Sequence, residues 1–292
     1  MFAAYLAEAE ESFRIVISGK TTLIAHLGFP TETFKSPLIY NPFFERAGID
    51  AVVVPMGVQA ADFPSFFREL FKLTNIRGSL VTMPHKMTAI ELADEVSPTA
   101  QIAGAANVVR KRDDGSLVAD MFDGEGFVRG VVRKGRKLDN TSALIIGAGG
   151  VGSAIAASLA AAGVTRMGLI DAVSGAAEAL SSRLSSHYPG LTLHTGSADP
   201  TNYDLVVNAT PLGMNDGDPL PIDTNLLSSS TFVGEVVMKS AVTPFLRAAR
   251  ERGCQTQVGV DMLFEQVPAN LEFLGFGTAT PDEVRSCAQI EY

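Results

Sequence analysis

The sequence contains little cysteine and no long hydrophobic run, and each absence excludes a class of protein. Only Cys254 and Cys287 occur, which is too few for a disulfide framework and lacks the CxxC spacing of a zinc or redox site. We therefore expect two reduced thiols, a cytoplasmic protein and no metal site. No apolar run reaches the roughly 18 residues of a membrane helix, and residues 1–14 lack the basic start and apolar run of a signal peptide.

Positive charge is also scarce. The chain carries 23 Lys and Arg against 32 Asp and Glu, a formal charge of −9, which repels nucleic-acid phosphates and acidic membrane surfaces. We expect a small-molecule ligand, and neither nucleic acid nor a membrane as partner. At roughly 100–200 residues per domain, the 292 residues favour two domains, each large enough to bury its own core.

The first half of the chain alternates between strand-like and helix-like segments. Apolar β-branched runs predict strands, and apolar residues at a spacing of three and four predict helices. The strand LVTM should end before Pro84, because proline lacks the N–H that a central strand needs. This alternation predicts an open, mostly parallel α/β sheet with helices on its faces. The predicted segments are strands at 13–17, 21–28, 51–57 and 80–83, and helices at 61–73 and 87–96.

A second α/β system begins near Thr141, after a basic and polar segment at 129–141 that reads as a linker. The stretch 142–171 predicts a strand, a glycine turn, an alanine-rich helix and a second strand, which together form one βαβ unit. Further strands are predicted within 191–196, 203–213, 231–238 and 255–259, followed by a helix at 264–275 and a short helix after Pro281.

The glycine turn has the pattern GxGxxG, formed by Gly147, Gly149 and Gly152. Its position between a strand and a helix is the context that makes this pattern typical of dinucleotide binding rather than of packing alone. The glycines permit a tight turn and a close approach to a pyrophosphate, which the N-terminus of the helix attracts. The predicted cofactor-binding residues of this turn are Gly147, Ala148, Gly149, Gly150, Val151 and Gly152.

The residue at the end of the next strand predicts which dinucleotide binds. Asp171 follows Gly147 by 24 residues, close to the spacing at which an acidic residue accepts hydrogen bonds from the adenosine ribose. A carboxylate there opposes a 2′-phosphate, and the following AVSGAAE contains no arginine to attract one. The sequence therefore predicts NAD rather than NADP, unless Asp171 is simply a solvated residue at a strand end.

Further motifs extend over nearly the whole chain after residue 20. They are GFPTETFKSP at 28–37, VTMPHK at 81–86, GAANVV around Asn107, DMFDG ending in Asp123 and Gly124, NATPLGM at 208–214, the pair Thr243 and Pro244, and GVDMLFEQ at 259–266. The first two are similar to the patterns GxPxxHSxSP and VTxPxK. Together and in this order, the motifs resemble those of the shikimate dehydrogenase family.

The resemblance implies that Lys86 and Asp123 are the catalytic pair at the hydroxyl group of the substrate. Such a pair suits the chemistry, because hydride leaves a carbinol carbon as the hydroxyl proton leaves for a base. Taken alone, Lys86 would more often be a surface lysine. The resemblance also implies substrate contacts for Ser36, Thr82, Asn107 and Gln266, and cofactor contacts for Asn208, Thr210, Val236 and Gly259.

Several positions depart from the family's motifs, and most of them replace a polar side chain by an apolar one. Because lost hydrogen-bond donors weaken polar binding, these departures predict a cyclic hydroxy acid other than shikimate as the preferred substrate. The departures are Thr33 at a common histidine, Phe34 at a serine, Leu80 at an asparagine, Met121 and Phe122 in the DNTDG loop, and Met238 at a tyrosine.

The predicted protein is therefore a two-domain α/β oxidoreductase that uses NAD on shikimate, quinate or an analogue in a cleft between the domains. Residues 1–125 with helices in 264–292 form the substrate domain, and residues 126–263 form a Rossmann domain. A non-catalytic NAD-binding sensor is the main alternative, and a methylenetetrahydrofolate dehydrogenase is a weaker one. The oligomeric state stays open, with a homodimer among the alternatives.

Overall fold

The computed structural model describes residues 16–290 of the chain. The N-terminal segment considered for a signal peptide lies outside the described residues. The predicted strand at 13–17 lies mostly outside them as well, and its last two residues, Val16 and Ile17, are exposed and belong to no strand.

The first sheet has six strands in the order β2-β1-β3-β5-β6-β4. These are Thr22–Gly28 (β1), Ala51–Gly57 (β2), Ile76–Val81 (β3), Glu95–Val96 (β4), Val108–Lys111 (β5) and Leu117–Asp120 (β6). β1 is parallel to β2 and β3, β4 is parallel to β6, and β5 is antiparallel to its two neighbours. The expected open, mostly parallel sheet is confirmed, with β5 as the exception.

The second sheet also has six strands, and all of its pairings are parallel. They are Ser142–Ile146 (β7), Arg166–Ile170 (β8), Thr192–Thr195 (β9), Leu205–Asn208 (β10), Phe232–Glu235 (β11) and Gln255–Gln257 (β12). The order β12-β11-β10-β7-β8-β9 is that of a Rossmann fold, whose strand order reverses between β7 and β10. Ligands bind outside the carboxyl ends of the strands at such a point.

Helices cover both faces of the sheets. They are Pro37–Ala47 (α1), Phe63–Leu70 (α2), Lys86–Leu92 (α3), Pro98–Ala103 (α4), Asp123–Arg133 (α5), Gly150–Ala161 (α6), Ala176–His187 (α7), Pro244–Glu251 (α8), Gly259–Leu274 (α9) and Pro281–Cys287 (α10), with a short 3₁₀ turn at Thr224–Leu226. Three of them begin with a capping hydroxyl followed by proline, a combination that satisfies a first-turn N–H group. The caps are Ser97, Thr243 and Thr280.

Two of the predicted segments that end early in the structure do so for a clear physical reason. β3 stops at Val81 rather than Met83, because the chain turns there and the His85 N–H donates to the Thr82 carbonyl at 3.0 Å. The helix predicted through 96 ends at Leu92, because Glu95 and Val96 pair with β6 as β4. Pairing with a distant strand overrides local helix propensity at this point.

Helix α5 occupies part of the predicted linker, since it continues to Arg133. It packs against both α6 and α9 and so connects the two sheets. The domain boundary predicted at 125/126 falls within this helix and stays a prediction.

The C-terminal helices pack against the first sheet. α9 begins at Gly259, five residues before the predicted start. Phe264 and Leu271 of α9 and Val284 of α10 share an apolar cluster with Ile24 of β1 and Ile39 of α1. This packing places the polar side chains of α9 beside the carboxyl ends of the first sheet.

Within residues 16–290, no helix combines the length and hydrophobicity needed to cross a membrane. Cys254 is buried, Cys287 is half-buried, and both are free thiols.

Candidate active site

Lys86 and Asp123 each begin a helix, and their side chains meet. Lys86 is the first residue of α3 and Asp123 is the first residue of α5. The Lys86 Nζ atom donates to Asp123 Oδ2 at 2.5 Å, with side chains 17% and 5% exposed. A carboxylate is favoured at a helix N-terminus, where unpaired N–H groups carry partial positive charge. These exposed fractions show that the pair is largely buried and that Lys86 is the more exposed of the two residues.

Asn107 holds the carboxylate from its other side. Its Nδ2 atom donates to Asp123 Oδ1 at 2.9 Å and to Gln266 Oε1 at 2.7 Å. Its Oδ1 atom accepts from the backbone N–H of Phe122 at 2.9 Å. All three polar side chains are buried. Both oxygens of Asp123 are therefore held by separate donors, which sets the orientation of the carboxylate toward Lys86.

Ser36 and Thr82 lie at the ends of elements near this network. Ser36 precedes α1 without a side-chain capping bond, and Thr82 follows β3, its N–H donating to the Leu27 carbonyl at 2.8 Å. Both side chains are half-buried. Between described residues, no hydrogen bond joins either hydroxyl to the Lys86–Asp123 pair. Of the four predicted substrate contacts, the structure joins only Asn107 and Gln266 directly to the pair or to each other.

His26 is a polar residue near the site that no motif indicated. It lies on β1, is 5% exposed, and its ring centroid lies 4.1 Å from that of Phe34. Burial and the positive charge of Lys86 lower the pKa of His26 from 6.5 to about 3. The available signal in the sequence was a single polar residue inside the apolar run TLIAHLG. It suggested nothing specific, because a strand residue can face either side of the sheet.

The glycine turn leaves space for a phosphate group. Gly147 has φ +102°, and a Cβ atom on Gly152 would lie 1.9 Å from the Gly147 carbonyl oxygen, so only glycine fits this turn. A Cβ atom on Gly149 would meet nothing within 4 Å. Gly149 also caps α6 without a side chain, so no capping side chain satisfies the first N–H groups of α6. These features fit a bound pyrophosphate.

Asp171 supports the glycine turn through hydrogen bonds to the backbone. Its Oδ2 atom accepts from the Ala148 N–H at 2.6 Å, and its Oδ1 atom accepts from the Val173 N–H at 2.7 Å. An ionised carboxylate has about four acceptor positions. It therefore retains capacity for a ribose hydroxyl after both of these bonds.

Asn208 and Thr210 form a rigid turn beside the glycines. Asn208 Oδ1 accepts from the Thr210 hydroxyl at 2.6 Å, while Asn208 Nδ2 donates to the Leu212 carbonyl at 3.0 Å. The Thr210 methyl group would lie 3.0 Å from a Cβ atom on Gly147. Asn208 thus holds the turn, and Thr210 lies against Gly147 of the glycine turn.

Val236 and Gly259 lie close together at the ends of neighbouring elements. Val236 directly follows β11 and donates its N–H to the Asn208 carbonyl at 3.2 Å. Gly259 begins α9, and a Cβ atom there would lie 2.8 Å from the Val236 carbonyl carbon. The backbone before α9 therefore lies directly against the end of β11.

Glu235 is a second polar residue that sequence reasoning missed. It ends β11, is 1% exposed, and its Oε2 atom has no hydrogen-bond partner among the described residues. Burial raises the pKa of Glu235 to about 7, and the nearby Thr243 hydroxyl and Asn208 amide oppose that shift. A carboxyl group that holds its proton more tightly than an ordinary glutamate therefore lies next to Val236.

The network around Lys86 and Asp123 and the glycine turn meet at one interface between the sheets. A Cβ atom on Gly150 would lie 3.1 Å from the Cβ of Ala105, two residues before Asn107. A Cβ atom on Gly124, next to Asp123, would lie 2.1 Å from the Ala154 carbonyl oxygen of α6. Helices α5 and α6 are thus in backbone contact, and this contact holds both sites on one side of the molecule.

Comparisons with known proteins agree with this arrangement. Residues 27–109 match the family model of the shikimate dehydrogenase substrate binding domain, and residues 128–173, which include the glycine turn, match the ThiF family. A protein named shikimate dehydrogenase (NADP(+)) from Rubrobacter xylanophilus is 36% identical over 259 residues, covering 86% of this chain and 89% of the relative. One of the same name from Dinoroseobacter shibae is 31% identical over 275 residues, covering 93% and 99%.

Solved structures show the same two-domain fold. Shikimate 5-dehydrogenase from Listeria monocytogenes, in complex with shikimate and NAD, has a TM-score of 0.85 at 26% identity and covers 93% of this chain and 97% of its own. Quinate dehydrogenase from Corynebacterium glutamicum, in complex with NAD, has a TM-score of 0.82 at 27% identity, with 91% and 98% covered. Since relatives above 30% identity match over most of their length, the motif-based resemblance is confirmed. The chain belongs to the shikimate dehydrogenase family of nicotinamide-dependent alcohol dehydrogenases.

Proposed function

We propose that the protein transfers hydride between NAD and the hydroxyl-bearing carbon of a cyclic polyhydroxy carboxylic acid, which is shikimate, quinate or an analogue. The observation that carries this proposal is the buried contact of Lys86 with Asp123, which lies at the same interface as the glycine turn. A non-catalytic binding protein has no need for a buried amine beside a carboxylate at that place.

In this proposal, Lys86 exchanges the proton of the substrate hydroxyl group. The bound nicotinamide supplies the hydride acceptor in oxidation and the hydride donor in reduction. Lys86 takes up the hydroxyl proton in oxidation and returns it in reduction. Asp123 orients the lysine amine, and its own orientation depends on Asn107.

Substrate binding is assigned to side chains around this pair. Asn107 and Gln266 offer amide groups, and Ser36 and Thr82 offer hydroxyl groups from the start of α1 and from the position after β3. Amides and hydroxyls can each donate and accept hydrogen bonds, which matches the hydroxyl groups of a polyol. Phe34 and Leu80 stand at positions where the family's motifs have polar residues, and this loss of polar side chains is the reason for proposing an analogue over shikimate itself.

The preference for NAD over NADP rests on Asp171. Its carboxylate ends β8 beside the glycine turn, and the residues that follow it contain no arginine before Arg183. A 2′-phosphate placed there would meet negative charge without a cationic partner. The relatives named above are NADP(+) enzymes, whereas the Listeria and Corynebacterium structures contain NAD. The charge at this position is the reason for proposing NAD.

Absorbance at the NADH band, measured with NAD and a panel of cyclic hydroxy acids, tests the proposed function. We expect turnover of at least one of shikimate, quinate and their close analogues. Saturable NAD binding without turnover of any panel member would instead indicate a metabolite sensor on the same fold. Cytoplasmic location and a homodimer accompany the proposal as expectations, tested by cell fractionation and light scattering.

A further inference from the structure

His26 and Leu80 are paired in register on neighbouring parallel strands β1 and β3. Because residues in register on parallel strands point to the same face, these side chains share a face with Ile24. That face is covered by α1 and α9, the helix that carries Gln266. Leu80 occupies the position at which the family's motif has asparagine, so His26 lies directly beside the missing amide.

The imidazole ring packs against Phe34, but one of its polar atoms is not satisfied by the protein. The two ring centroids lie 4.1 Å apart with the ring planes tilted by 31°, while the buried Nδ1 atom has no hydrogen-bond partner among residues 16–290. His85 provides the contrast. It stacks on Phe63 at 4.0 Å, and its Nε2 atom lies 2.7 Å from the Val58 carbonyl oxygen. His85 has the contacts of a structural histidine, whereas His26 has a buried polar atom without a partner in the protein.

The ring of His26 carries no charge at neutral pH, because burial and the nearby Lys86 amine lower its pKa to about 3. A neutral imidazole offers one donor and one acceptor. It therefore suits a hydroxyl group, which also donates and accepts, better than a carboxylate, which only accepts.

We propose that His26 determines substrate specificity by hydrogen-bonding a ring hydroxyl group of the substrate, in place of the amide that Leu80 lacks. This inference rests on the proposed function of the same site. It assigns the polar contact at this position to a hydroxyl group on the substrate ring rather than to the substrate carboxylate. Phe34 then acts as a positioning residue that keeps the imidazole in one orientation.

The test compares His26→Leu with His26→Asn, since asparagine restores a polar atom near the position of Nδ1. We expect His26→Leu to raise KM for the best panel substrate at least tenfold and to change kcat less than threefold. His26→Asn should recover most of that loss. His194→Leu, at an exposed position on β9, is the matched control and should change neither constant. NAD affinity and melting temperature report on folding.

Analogues that lack one ring hydroxyl group give a second measurement on the unmodified protein, independent of whether His26→Leu folds. One such analogue should bind at least tenfold more weakly, and His26→Leu should bind that analogue and the parent substrate about equally. The role of His26 is refuted if a folded His26→Leu enzyme has an unchanged KM, or if this variant still discriminates fully against the analogue. Either result leaves the proposed function of the protein standing. Absence of both turnover and calorimetric binding of shikimate and quinate in the unmodified protein overturns the proposed function as well.

Discussion

Asn107 and Gln266 are hydrogen-bonded at 2.7 Å although 159 residues separate them in the chain. The bond joins the turn before β5 to the helix α9, and the same Asn107 amide reaches Asp123. The C-terminal part of the chain therefore completes a site whose proposed catalytic residues lie in the first half. Removal of Lys86 should leave this network intact, because Asp123 keeps its bond to Asn107.

Replacement of Lys86 by alanine should lower kcat by the roughly 100- to 10,000-fold typical of a lost general acid or base. NAD affinity should stay near its original value, since the glycine turn belongs to the other sheet. Lys72→Ala, which breaks an exposed lysine–glutamate pair on the surface, is the matched control and should leave kcat unchanged. Steady-state kinetics and NAD titration measure both effects.

Asp123→Asn should lose activity to a similar extent, because the amide cannot hold the lysine amine as an ion pair. If the two residues act as one unit, the double variant should lose much less than the product of the two single losses. Multiplicative losses in the double variant would show two independent roles and would contradict the proposed pair.

NAD should bind at least tenfold more tightly than NADP, because the Asp171 carboxylate opposes a 2′-phosphate. Asp171→Asn is the sharpest variant, since its amide oxygen can still accept from the Ala148 N–H while the negative charge is gone. We expect this variant to reduce the difference in affinity between NAD and NADP. Asp171→Ser combined with Val173→Arg should reduce that difference further. Equal affinities for the unmodified protein, or a preference for NADP, would refute the assignment. Calorimetric titration with NAD and with NADP measures both affinities.

Phe34→Ser combined with Leu80→Asn should improve the use of shikimate or quinate, mainly through a lower KM. New ground-state contacts act on binding before they act on the chemical step. The gain should reach tenfold or more if each new hydrogen bond contributes about 1 kcal/mol. Melting temperature should fall, because Leu80 packs in an apolar cluster with Ile24 and Val53.

Controls for this double variant are NAD affinity and the melting temperature. The prediction fails if the folded variant uses shikimate and quinate no better while the unmodified protein already uses shikimate efficiently. The substrate pocket would then be an ordinary one for the family.

Glu235 should make the stability of the protein depend on pH. Its pKa is about 7 in the folded protein, above the ordinary value near 4.5, so the folded state retains a proton that the unfolded chain releases between these values. The free energy of unfolding should therefore fall as pH rises through this window, by about 1–3 kcal/mol from this group. Urea unfolding at pH 5, 6, 7 and 8 measures the change.

Glu235→Gln removes the titration while keeping a polar side chain of the same size. The stability of this variant relative to the unmodified protein should therefore increase from pH 5 to pH 8. A difference that is constant over that range would mean that the buried carboxyl group does not titrate there.

The structure also shows where local reasoning was incomplete. Strands β5 and β6 form an antiparallel hairpin around Asp114 and Gly115, and an Asp-Gly pair between two apolar runs is a hairpin signal that the sequence analysis did not use. β4 has no comparable signal, because a strand of two residues exists only through its pairing with β6.

Short residue patterns specify the local units of this protein. The glycine turn, the βαβ unit around it and the helix after Pro281 depend on residues near one another in the chain, and so motifs predict them. Which side chains meet is set only by the tertiary structure. Whether His26 and Glu235 are buried, and whether Asn107 reaches both Asp123 and Gln266, depends on contacts between distant segments. Burial and hydrogen bonding result from those contacts, and the spacing of residues along the chain does not predict them.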